Sequence, residues 1–136
     1  MRHWLLAFTA GFLAVLCFHQ VALGLLHSAG IVPFAPFSLA ATAPLGVPAV
    51  LSASFWGGLW GLVLVWVLAR LGSQLVWLKA ALFGGIALTV VALLVVFPLK
   101  GYGFNLAQLP ARFIIGFILN GFWGVGTLVF LRCFGR

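Results

Sequence analysis

Four long apolar stretches, residues 4–26, 48–69, 75–97 and 113–131, alternate with short segments that collect nearly all the prolines and basic residues of the chain. Each stretch is close to the roughly 20 residues an α-helix needs to cross the hydrocarbon core of a bilayer. The pattern predicts an all-α membrane protein, a single domain over 1–136 with four transmembrane helices. Arg2 and His3 precede the first stretch, a short basic start that also suits a signal peptide. No convincing small-x-small cleavage site lies near Ala22 to Gly24, so residues 4–26 are read as the first transmembrane helix.

The connections differ in character. His27 to Pro48 carries Pro33, Pro36, Pro44 and Pro48, which together forbid a continuous helix. It is uncharged and rather apolar, so it is expected at the interface or folded back among the helices, with one helical turn over Ser38 to Ala43 capped by Ser38. Leu71 to Gln74 reads as a tight return. Lys79, just inside the third stretch, is placed to snorkel to the headgroups. The segment GYGFNLAQLPAR forms the last connection before a helix starting at Phe113.

Basic residues set the orientation. Arg2, Arg70, Lys79, Arg132 and Arg136 fall on the side of both termini, against Lys100 and Arg112 opposite. Cytoplasmic faces carry the excess of Lys and Arg, so both termini are expected in the cytoplasm and the two Pro- and Gly-rich loops outside.

Within the second stretch, Ala49, Ala53, Gly57 and Gly61 recur every fourth residue and strip one helix face to small side chains, with Trp56 and Trp60 beside it. Such a face admits a neighbouring backbone closely. Gly116, Asn120 and Gly124 form a similar stripe in the fourth stretch, where Phe122-Trp123-Gly124 repeats Phe55-Trp56-Gly57 at an offset of 67. Phe37, Leu39 and Ala40 match Phe104, Leu106 and Ala107 at the same offset. Two motifs with one separation point to an internal repeat, two parallel-related two-helix halves whose small-residue helices meet near a shared axis.

Composition narrows the chemistry. The chain is 65% hydrophobic and 5% charged, with seven Lys and Arg and no Asp or Glu. Paired-carboxylate catalysis, carboxylate metal cages and carboxylate proton relays are excluded. The basic residues stand singly beside apolar runs, the pattern of contact with anionic lipid rather than nucleic acid. Cys17 and Cys133, at the middle of the first stretch and the end of the last, lie at depths that do not bridge and read as small apolar fillers.

Three polar side chains lie deep in apolar stretches: His19, Gln20 and Asn120. A buried imidazole is a functional suspect by default, although a lone histidine more often serves packing. His3 and His27 lie near opposite membrane faces, so no metal site is expected, and no catalytic residue or cofactor is assigned. Asn120 must find a partner at its depth, most simply across a helix contact. Ser52, Ser54 and Thr127 can bond back to their own helices. Gly101-Tyr102-Gly103 shares its tripeptide with a potassium filter but lacks the preceding Thr-Val and follows Lys100.

The proline-rich loop ending PLGVP and the following FWGGLWG helix, residues 33 to 61, with an echo at 120 to 124, resemble those of small uncharacterised bacterial inner-membrane proteins. The resemblance implies a four-helix inner-membrane fold and supplies no activity.

Three functions fit these features. The first is a non-enzymatic accessory or assembly subunit that packs against itself or another membrane protein. The second is a small transporter or channel-like protein for anionic or lipid-like cargo. The third is a haem- or quinone-associated membrane subunit using His19. The orientation is testable directly: reporters fused to either terminus should report the cytoplasm and a tag near Ala41 should be reached from outside. Opposite readings at the two termini would require an odd number of spans.

Overall fold

The apolar stretches form four helices: α1 (Arg2–Ser28), α2 (Ala49–Leu71), α3 (Val76–Leu99) and α4 (Leu109–Phe134), each long and apolar enough to cross a membrane. The computed structural model describes residues 1–135; Arg136, counted above toward the cytoplasmic side, lies outside them. The chain is therefore an all-α, multi-pass membrane protein. α4 begins four residues before Phe113, because Pro110 sits in its first turn, where a missing N–H leaves no intrahelical bond unmade.

Two helices are not uniform. α1 passes through a π-helical turn at Val15–His19, and α3 through two, Phe83–Leu88 and Ala92–Val96. Each widened turn shifts the register of the residues that follow it around the helix axis.

Two features depart from expectation, the segment after Ser38 and the placement of the cysteines. No helical turn forms after Ser38. Instead Ala41–Thr42 (β1) and Val47–Pro48 (β2) pair as a minimal antiparallel ribbon, with Gly46 at φ +71 in the turn and Thr42 Oγ1 donating to the Val47 carbonyl at 2.7 Å. Pro44 breaks the helical option and Gly46 supplies the left-handed residue that a tight reversal needs. Between α2 and α3, the Lys79 Nζ reaches back to the end of α2 and donates to the Leu71 and Gly72 carbonyls at 2.7 and 3.2 Å. Cys17 and Cys133 are exposed on the helix surface and do not fill the core.

Packing follows the small residues. α1 lies against α2 where a Cβ at Gly11 would collide with the Gly57 carbonyl oxygen and one at Gly61 would sit 3.1 Å from Gly11 Cα. α3 lies against α4 in the same manner, a Cβ at Gly84 colliding with the Asn120 carbonyl oxygen and one at Gly124 with that of Ala80. The rings of Phe8 and Phe117 cover Gly58 and Gly85 from the facing helices. α1 and α4 join the two pairs along their lengths, whereas α2 and α4 barely touch. The small-residue faces of α2 and α4 thus face α1 and α3 rather than each other.

The spatial order is α2, α1, α4, α3, and α2 approaches α3 chiefly along Val76–Leu82, near their shared turn. Trp60 meets Phe83 edge-on at 6.1 Å there. The half of the bundle nearest the termini is filled by Ala7, Ala10, Ala14, Leu64 and Trp123, all fully or almost fully buried. Dispersion contacts between closely approaching backbones hold such helices together where lipid removes any hydrophobic gain.

Gly84→Ala should therefore cost about 1–3 kcal/mol of stability, since the new methyl group meets a backbone carbonyl that cannot turn aside. Gly103→Ala is the control, with nothing within 4 Å of the added carbon. Thermal unfolding in mild detergent measures both, and equal midpoints would show that α3 and α4 are not in backbone contact.

Candidate functional site

At the centre of the bundle, Trp123 is 1% exposed and its Nε1 donates to the Gly11 carbonyl oxygen at 3.0 Å. The indole reaches that oxygen because Gly57 has no side chain: a Cβ there would lie 3.2 Å from Trp123 Nε1. Gly11 also accepts from the Val15 N–H at the threshold of the π-helical turn in α1. That turn carries Val15 and His19 to the wall of an interior space.

This space, about 170 Å³, is bounded by all four helices. Trp56, Gly57 and Trp60 line it from α2 and Trp123 from α4. Ala92 and Val96 of the second π-helical turn of α3 line it opposite, with Leu88 closing the first. Trp56 of α2 and Val96 of α3 are the exposed members of its lining, at 59% and 37%, so the space is a recess entered between those two helices.

His19 and Asn120 supply its polar groups. Asn120 Nδ2 donates to Thr89 Oγ1 across the α3–α4 contact at 3.0 Å. His19 Nδ1 is buried without a hydrogen-bond partner among the described residues. An unmade bond to a buried polar group costs about 1–3 kcal/mol, so His19 is the least satisfied side chain in the bundle.

Gln20 belongs to a different place. It is 6% exposed, and its Oε1 accepts the Phe37 N–H at 2.7 Å, fastening the proline-rich loop onto α1. Pro36 rests on Gly24 and His27 Nδ1 lies 3.1 Å from the Val32 carbonyl oxygen, completing the attachment. The adjacent pair His19 and Gln20 is therefore split between the recess and the loop.

Of the small-residue positions, Ala53, Gly57 and Asn120 border the recess. Gly61 and Gly124 serve helix contacts, and Gly116 packs against Thr89. Ala49 opens α2, its N–H bonded to the Ala40 carbonyl at 2.9 Å. Ser54 and Thr127 donate to Val50 and Trp123 carbonyls of their own helices at 2.8 and 2.9 Å. Sequence reasoning overlooked the α3 wall and Thr89, because an alanine and a threonine in an apolar run carry no mark of facing a cavity. Among the described residues, no group of three or more His or Cys side chains is placed to hold a metal ion.

No protein family, no curated protein and no solved structure matches the chain. The geometry alone carries the functional argument.

Basic side chains meet no acidic partner, the sequence having none. Arg70 lies over the Trp66 ring at 4.8 Å and Arg132 over Trp77 at 4.6 Å, both near the terminal face. Cation–π contact holds each guanidinium against the bundle through its face, and the edge that carries its N–H groups is the part suited to anions.

Proposed function

We propose that the chain is a non-enzymatic protein of the bacterial inner membrane, with both termini cytoplasmic, that holds a lipid-soluble molecule in the lateral recess between α2 and α3. One observation carries this reading: a cavity lined by all four helices has its exposed lining residues, Trp56 and Val96, on α2 and α3, and a histidine with an unpartnered ring nitrogen in its wall. Membrane-soluble ligands reach such a site by lateral diffusion, and a few placed polar groups in an apolar wall orient them. Arg70, Lys79 and Arg132 would meet anionic headgroups at the cytoplasmic face.

An assembly subunit was the first expectation, on the strength of two small-residue faces. Those faces are occupied within the chain, so they give no argument for a partner. The internal repeat receives support of a different register. Ala7 and Gly11 cross Gly57 and Gly61 as Ala80 and Gly84 cross Asn120 and Gly124, which equates Gly61, not Gly57, with Gly124. Two parallel-related halves remain the reading, one helical turn away from the offset of 67 that the Phe-Trp-Gly motif marks.

Ala92→Phe should fill the recess while leaving the helix contacts intact. Native mass spectrometry on protein extracted in mild detergent should show a small apolar molecule retained by the wild type and absent from the variant. Wild-type protein that is empty yet bound stoichiometrically to another membrane protein would replace this reading with the assembly subunit.

A further inference from the structure

The polarity and size of the recess narrow its occupant. A volume of about 170 Å³ is slightly above the roughly 150 Å³ of an engineered protein cavity that takes up benzene, so it accommodates one six-membered ring. Trp56, Trp60 and Trp123 line it, and aromatic walls favour a flat partner stacked or set edge-on. A tail attached to that ring would leave past Trp56 and Val96, between α2 and α3.

The histidine sets the head group. Nδ1 is the sealed ring nitrogen, and a sealed N–H without an acceptor is rarer than a sealed lone pair. A neutral ring with its proton on Nε2 avoids that cost and makes Nε2 the donor that an occupant would meet. Asn120 adds its amide at the α4 wall. With so few donors, a carboxylate or phosphate would lose more hydration than the site restores, whereas a neutral carbonyl loses little.

Resting on the lateral-recess reading, we infer that the site takes an uncharged, carbonyl-bearing ring with an apolar tail, the chemistry of a membrane quinone. The carbonyl oxygen accepts from His19, the ring lies among the tryptophans and the tail leaves into the bilayer between α2 and α3.

Titration of the purified protein with three probes tests this: a benzoquinone carrying one isoprenyl unit, the same tail on a plain benzene ring, and decanoic acid. Quenching of tryptophan emission reads the quinone, and its displacement reads the other two. Ala92→Phe, with its recess blocked, sets the baseline for partition into detergent. Saturable quinone binding is expected, weakened about 3- to 10-fold in His19→Ala, the loss of one hydrogen bond, and largely recovered in His19→Gln, whose amide can donate. His3→Ala should match the wild type. Should His19→Ala fail to fold, His19→Gln against His19→Leu makes the same comparison. If decanoic acid or the plain benzene analogue binds as tightly as the quinone, or if His19 substitution has no effect, the carbonyl inference is overturned and the recess reading stands. If none of the three binds above the blocked variant, the recess reading itself fails.

Discussion

Everything distinctive about this bundle depends on a bare backbone at Gly11 and Gly57. Their missing side chains let α1 and α2 touch, and the same gap admits the Trp123 indole to the Gly11 carbonyl oxygen. One hydrogen bond thus ties α4 to a crossing of two other helices. In lipid, where apolar surface gains nothing by leaving its solvent, close contact and polar pairing of this kind are the main sources of specificity. A methyl group at either glycine would meet the facing backbone or side chain and push α1 and α2 apart.

The recess follows from where those contacts stop. Backbone contact joins α1 to α2 and α3 to α4, and α1 joins α4, so the two outer helices are left with only a short stretch in common near their turn. Past Trp60 and Phe83 they diverge. The π-helical turns complete the cavity, since all three border it and one delivers His19 to its wall. Widened turns recur at functional sites because they place side chains where a regular helix does not. At the loop end, Gln20 fixes the proline-rich segment to α1.

The spans were legible in the sequence because length and hydropathy alone decide what crosses a bilayer. The small residues were legible as packing faces, since a run such as Gly57 and Gly61 has no other use in a lipid-soluble helix. Their partners were not. Ala7 and Gly11 look like any alanine and glycine in an apolar run, and Ala80 and Gly84 likewise, until the facing helix is known. The Phe-Trp-Gly repeat even pointed away from the contact register, because its two tryptophans have unlike surroundings: Trp56 is 59% exposed and Trp123 1%. His19 stood out as a buried polar residue, but the cavity it borders could not be read, as it depends on register shifts that no residue type announces.

The tie between α4 and the α1–α2 crossing can be measured at its own atoms. The protein has six indole N–H groups, and hydrogen exchange followed on their nitrogen-15 resonances, with Trp123→Phe to assign the signal, reports each one separately. Trp123 should exchange the slowest of the six, held by its bond to Gly11 and sealed from solvent. Exchange at Trp123 as fast as at Trp66, which is 51% exposed, would contradict the tie and with it the arrangement of helices that leaves the recess open.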